Sequence, residues 1–133
     1  MKKLIPFLLA VLLLSGCTAP DKQAGSYRQI NMDEAVALMQ EESGYIILDV
    51  RRPDEFAEKH IPGAVNIPNE TIGTAEIYAL PDKDQLILVY CRSGNRSKQA
   101  SEKLVALGYT NVVEFGGIID WTGETATGMQ EGV

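Results

Sequence analysis

The sequence is short of several side chains on which enzyme chemistry commonly rests. Its 133 residues include one histidine, His60, one tryptophan, Trp121, and two cysteines, Cys17 and Cys91. The acidic residues are scattered and make no cluster with metal-ligand spacing, and no glycine-rich run has the spacing of a nucleotide loop, so neither a metal nor a cofactor is expected. Positive charge is scarce as well: 12 lysines and arginines face 18 acidic residues, a net charge of −6. Such a surface repels nucleic acid and anionic headgroups, which excludes a nucleic-acid partner and electrostatic attachment to a membrane. Long apolar runs are confined to residues 4–14, too short to span a bilayer comfortably as a mature helix. There is no internal repeat and no low-complexity block.

What is present begins with that apolar run. Met1-Lys2-Lys3 supplies a positive start and Leu4 to Leu14 a hydrophobic stretch, the two parts of an export signal. The run ends in Leu14-Ser15-Gly16-Cys17, which resembles the lipobox of bacterial lipoproteins. The resemblance implies lipid on the Cys17 thiol and cleavage before it, hence an exported, extracytoplasmic protein anchored in a membrane through Cys17. On this reading residues 1–16 are signal, residues 17–26 a polar, flexible tether, and residues 27–133 a single domain. Losing Lys2 and Lys3 would leave ten basic against 18 acidic residues, so lipid rather than charge must hold the membrane. Lipid on Cys17 would also leave Cys91 without an intramolecular partner, unusual for an exported thiol.

The domain alternates apolar runs with helical patterns. Tyr27 to Ile30 reads as a short edge strand. Asn31 with Glu34 has capping-box spacing, ahead of a stripe of Ala35, Val36, Leu38 and Met39 that Glu41 to Gly44 stops. Tyr45 to Val50 and Gln85 to Tyr90 are near-continuous apolar runs, the mark of parallel strands buried on both faces. Pro53 suits the first turn of a helix ending near Lys59, Ala64 to Ile67 a short strand, and Asn69 to about Leu80 a less regular helix weakened by Gly73. Ser97 to Leu107 predicts an amphipathic helix closed by Gly108, and Asn111 to Phe115 a last strand. Gly116-Gly117 then leads into a helical turn near Trp121. This alternation argues an α/β fold with a parallel sheet covered on both faces.

Chemistry concentrates in Val89-Tyr90-Cys91-Arg92-Ser93-Gly94-Asn95-Arg96-Ser97. Cys91 stands where a buried strand ends and the next helix has not begun, the edge at which open α/β sheets bind ligands. Gly94 permits a curled backbone whose N–H groups converge on one point, an anion-binding nest. The following helix adds the positive end of its dipole, and Arg92 and Arg96 add full charges. Each feature favours a thiolate over a thiol.

These residues resemble the active-site loop of the rhodanese family of sulfurtransferases, whose cysteine takes up sulfane sulfur as a persulfide and passes it to a thiophilic acceptor. Leu48-Asp49-Val50-Arg51, Asp54-Glu55-Phe56 and His60-Ile61-Pro62-Gly63-Ala64-Val65-Asn66-Ile67-Pro68 follow the family's first half. Leu107-Gly108-Tyr109, Asn111-Val112, Gly116-Gly117 and Trp121 follow its end. The resemblance implies a three-layer α/β/α domain with a central, mainly parallel sheet of about five strands. It also implies that Cys91 is the nucleophile and persulfide carrier, and that Arg92, Ser93, Gly94, Asn95 and Arg96 form the loop that cradles the sulfur. Arg92 and Arg96 are candidates for attracting an anionic donor. Four residues separate Cys91 from Arg96, as in the sulfurtransferase branch; the related cell-cycle phosphatases and arsenate reductases carry five, a wider cradle for a tetrahedral oxyanion. The implied partners are thiosulfate or a related donor and a cyanide or thiol acceptor, with the domain acting as a monomer.

Two rival readings stand beside this one: a redox-sensing or partner-binding module on the same fold without catalysis, and a phosphatase or arsenate reductase, which the loop length disfavours. His60, far in sequence from Cys91, is expected to be structural. Asp49 and Arg51, at the exit of a central strand, are expected to pair with each other and support the pocket.

Overall fold

The computed structural model describes residues 25–73 and 75–129. The signal segment, Cys17 and most of the tether lie outside the described residues, as do the last four positions. Within them run β1 (Arg28–Gln29), α1 (Met32–Glu41), β2 (Ile46–Asp49), α2 (Pro53–Glu58), β3 (Val65–Asn66), β4 (Ile87–Cys91), α3 (Asn95–Ala106) and β5 (Val112–Gly117). Single turns of 3-10 helix occupy Asn69–Thr71 and Ile118–Asp120.

The five strands pair in parallel in the order β1-β5-β4-β2-β3, so β4 takes the middle of the sheet and all five of its residues are buried. Side chains alternate across a strand, and each face has its own covering layer. Ile47, Leu88, Tyr90, Val113 and Phe115 pack beneath Ala35 of α1 and Phe56 of α2. Leu48, Val50, Val89, Cys91 and Val112 pack beneath Ala100 and Leu104 of α3, with Ile72 and Leu80. The result is a three-layer α/β/α arrangement with a five-stranded parallel sheet, the architecture the resemblance implies.

Local signals place several boundaries. The capping box closes as expected: Glu34 N donates to Asn31 Oδ1 at 2.8 Å and Asn31 N donates to Glu34 Oε1 at 3.3 Å. Pro53 opens α2, where its missing N–H costs nothing.

Two expectations need correction. The helix expected over residues 69–80 is a single 3-10 turn, and the other described residues up to Leu80, 72–73 and 75–80, form no helix. Long-range contacts take over its backbone groups: Asn69 N donates to Val50 O at 2.9 Å, and Lys103 Nζ donates to Asn69 O at 2.9 Å. Ile72 and Leu80 pin the segment to the core, and Gly73 between them disfavours a helix. The second correction is that α3 starts at Asn95, two residues ahead of Ser97, so Asn95 and Arg96 belong to its first turn.

Candidate active site

Cys91 is the last residue of β4 and 1% exposed. Gly94 follows with φ +115°, a left-handed conformation that L side chains rarely adopt, and this reversal turns its N–H back toward the sulfur. Gly94 N donates to Cys91 Sγ at 3.0 Å. In the first turn of α3, Ser97 Oγ lies 3.4 Å from the same sulfur. The thiol is therefore held between the loop and the N-terminus of the helix, as the spacing of the segment implies.

Two residues behind the loop were not picked out by sequence. Glu114 of β5 is 2% exposed, and its Oε1 accepts from Ser97 Oγ at 2.6 Å and from Gly116 N at 2.9 Å. A carboxylate inside the apolar run Val112-Val113-Glu114-Phe115 was the available signal, because a buried charge demands partners. Gly117 pairs with Cys91 across β4 and β5, just past a register shift between Val89 and Cys91. A Cβ there would stand 1.9 Å from Arg92 O and 2.5 Å from Ser93 N. The loop backbone rests directly on this glycine.

The two loop arginines do not converge. Arg96 is committed to Glu55 of α2 in a bidentate pair, Nη1 to Oε1 at 2.6 Å and Nη2 to Oε2 at 3.0 Å. The Arg96 hydrogen bonds hold the Glu55 carboxyl below its ordinary range, against the opposing effect of burial. Arg92 is exposed and, with Arg51, Lys59 and Ile119, borders a cavity of about 300 Å³ beside the loop. Gly94 is buried, whereas Ser93 and Asn95 face solvent.

Asp49 and Arg51 form a buried ion pair. Arg51 Nη2 lies 2.6 Å from Asp49 Oδ2, Nε 3.0 Å from Oδ1, and the Arg51 backbone N–H donates to Oδ1 at 2.9 Å. Arg51 Nη2 also donates to Lys59 O at 2.6 Å, tying β2 to the end of α2 at the cavity wall. Asp49→Ala would leave a 5%-exposed guanidinium without its counter-charge. Breaking a buried pair from one side costs about 3–5 kcal/mol, so urea unfolding of Asp49→Ala should show a loss of that order. His60 stacks on Phe56 at 3.7 Å, its Nδ1 is 2.8 Å from Phe56 O, and its backbone bridges to Ala126. These contacts join α2 to the C-terminal segment.

The family model described as the rhodanese-like domain matches residues 31–124. The chain belongs to the rhodanese-like family. Its rhodanese-like domain is 36% identical over 110 residues to the thiosulfate sulfurtransferase GlpE of Pseudomonas entomophila, covering 79% of this chain and 97% of that protein. It is 41% identical over 73 residues to the thiosulfate sulfurtransferase PspE of Escherichia coli, covering 55% of this chain and 70% of the relative. Among solved structures, an E. coli rhodanese with anions superposes with a TM-score of 0.58 at 37% identity, covering 63% of this chain and 99% of that one.

Proposed function

We propose that this rhodanese-like domain is a sulfurtransferase that carries sulfane sulfur as a persulfide on Cys91, from thiosulfate or a related donor to cyanide or a thiol. The observation that carries the reading is the Gly94 N–H aimed at Cys91 Sγ from within a four-residue loop at the end of the central strand. Similarity to relatives named thiosulfate sulfurtransferase supports the same class of reaction.

In the first half-reaction the Cys91 sulfur, as thiolate, attacks the sulfane sulfur of the donor. A sulfur–sulfur bond forms to Cys91, the donor's own sulfur–sulfur bond breaks, and its electron pair leaves with sulfite. The negative charge then sits on the outer sulfur of the persulfide. The first-turn N–H groups of α3 and the loop backbone are the donors available to it. In the second half-reaction the acceptor attacks that outer sulfur and Cys91 returns as thiolate. Arg92, exposed at the cavity edge together with Lys59, is a positive charge placed to meet an anionic donor, while Arg96 contributes through its pair with Glu55. The steps use no metal and no cofactor.

Incubation with thiosulfate or another sulfane donor should add about 32 Da to the Cys91 peptide, and cyanide should remove it. Persistent absence of that mass across several donors refutes the catalytic reading, and hydrolysis of a phosphate ester would move the protein to the phosphatase branch.

The location is part of the proposal: an exported domain held to a membrane by lipid on Cys17 and acting as a monomer. The apolar run 4–14 ending in Leu14-Ser15-Gly16-Cys17 supports it, and the acidic composition leaves any attachment to lipid rather than charge. Cys17→Ser should leave the chain unprocessed or shift it to the soluble fraction; unchanged membrane fractionation and processing would refute the anchor.

A further inference from the structure

Glu114 is a buried charge that the sulfur-transfer steps do not employ, and its position relative to Cys91 is specific. Ser97 Oγ, fully buried, has four polar neighbours: Glu114 Oε1 at 2.6 Å, Gly94 O at 2.9 Å, Gly116 O at 3.4 Å and Cys91 Sγ at 3.4 Å. A serine hydroxyl has one proton to give and two lone pairs to receive. The three oxygens can only accept, so they compete for that one proton. The nearest acceptor, the Glu114 carboxyl oxygen at 2.6 Å, wins, because hydrogen bonds to carboxylate oxygens are shorter and roughly twice as strong as those to neutral ones. The proton therefore points at Glu114, and of these four neighbours the sulfur is the one left with a proton to offer Ser97.

We propose that Glu114 is a positioning residue for Cys91: by claiming the Ser97 proton, it makes Ser97 an acceptor for the Cys91 thiol and withholds a donor from the thiolate. Ionising Cys91 with Glu114 in place brings two acceptors face to face across 3.4 Å, in a site where sulfur, hydroxyl and carboxylate are each at most 2% exposed. Burial strengthens that opposition, because no water competes for either group. Glu114 thereby works against the Gly94 N–H and the positive end of α3, which favour the thiolate that loading requires. This consequence rests on the persulfide reading at one point: once loaded, the charge sits on the outer sulfur, one bond further from Ser97, and the restraint falls away. A thiolate restrained in this way is also less open to alkylation and oxidation while the site is unloaded.

Other charged and titratable groups face the same site. From α3, Arg96 favours a charged Cys91, but its guanidinium is shared with Glu55 of α2. Arg92 lies at the cavity mouth. Behind Glu114, Gln29 Nε2 of β1 donates to Oε2 at 3.4 Å. The Tyr27 phenol is held protonated by burial and by the carboxylates of Glu102 and Glu114. None of these groups stands between Ser97 and the sulfur.

The experiment is alkylation of Cys91 by iodoacetamide, followed across pH by the mass of the Cys91 peptide, on the native chain, E114Q, S97A and the double variant. Glutamine keeps an oxygen for Gly116 N and Ser97 Oγ but is neutral, so a thiolate outcompetes it for the serine proton. E114Q should alkylate roughly tenfold faster at pH 7 and shift the pH profile toward acid, a gain of the size expected for one hydrogen bond to an ionised acceptor. In the S97A background the same Glu→Gln change should lose at least half of its logarithmic effect. A folded E114Q with an unchanged or slower rate overturns the proposal; so does an effect undiminished in S97A, which would mean that the field of Glu114 acts without the hydroxyl. If E114Q does not fold, infrared spectroscopy of the native chain at pH 7 decides. An S–H stretching band displaced to low frequency and removed by alkylation is expected, whereas its absence, or a band at the free-thiol position, overturns the proposal. These readouts use no sulfur donor, so they fail or succeed separately from the persulfide test.

Discussion

Cys91→Ser should leave a folded domain that takes up no sulfur. The substitution exchanges one buried atom for a slightly smaller one. The new hydroxyl can still accept from Gly94 N and meet Ser97 Oγ, the two contacts the thiol makes now. Its effect on stability should therefore stay within about 1 kcal/mol. Its effect on chemistry is complete, because a serine hydroxyl neither ionises near neutral pH nor forms a persulfide. Mass spectrometry should find no sulfur adduct after thiosulfate treatment, and thiocyanate formation should fall by about a thousandfold or more. A sulfur adduct that persists on the Cys91→Ser domain would place the carrier elsewhere and end the proposed mechanism.

Gly117→Ala should be the most damaging one-methyl change near the site. The backbone of Gly117 is extended, with φ −144°, so conformational strain is not the reason. The reason is contact: the added Cβ would lie 1.9 Å from Arg92 O and 2.2 Å from Arg92 C, both backbone atoms without a flexible side chain to yield. Either β5 moves away from β4 or the loop lifts. Lifting the loop carries Gly94 N away from the sulfur and also strains the Ile119 N–H to Arg92 O hydrogen bond of 3.3 Å. Overpacking of this kind costs about 1–3 kcal/mol. In a domain of this size each kcal/mol lowers Tm by roughly 4–8 °C, so a drop on the order of 10 °C is expected. Persulfide loading should fall at least tenfold at temperatures where the variant is still folded, because a 1 Å misplacement near reacting atoms costs on the order of a hundredfold. Native-like loading with an unchanged melting curve would show that the loop does not depend on this approach.

These two positions were not equally visible in the sequence. Cys91 announces itself through its neighbours: a buried strand before it, Gly94 and two arginines after it, and a helix beyond. All of that is local. Gly117 reads only as part of the Gly116-Gly117 lead into a helical turn, because nothing nearby in sequence shows that Arg92 will cross it. Asn69 was hidden in the same way within an expected helix, and its true partners, Val50, Gln99 and Lys103, are all distant along the chain.

The sequence by itself determined the elements with strong local signatures: the capping box at Asn31 and Glu34, the apolar runs that became β2 and β4, the Pro53 helix start and the cysteine loop. Each rests on hydrogen bonds or periodicity within a few residues, which a linear pattern records. Tertiary structure alone decided where the charges around Cys91 point. Arg96 reaches Glu55, 41 residues away, and Ser97 reaches Glu114, 17 residues away, because strand order and register bring α2 and β5 against the start of α3. A charged side chain in a sequence has a sign but no direction. Direction comes from the sheet, and here it commits Arg96 to Glu55 and sets Glu114 behind the thiol.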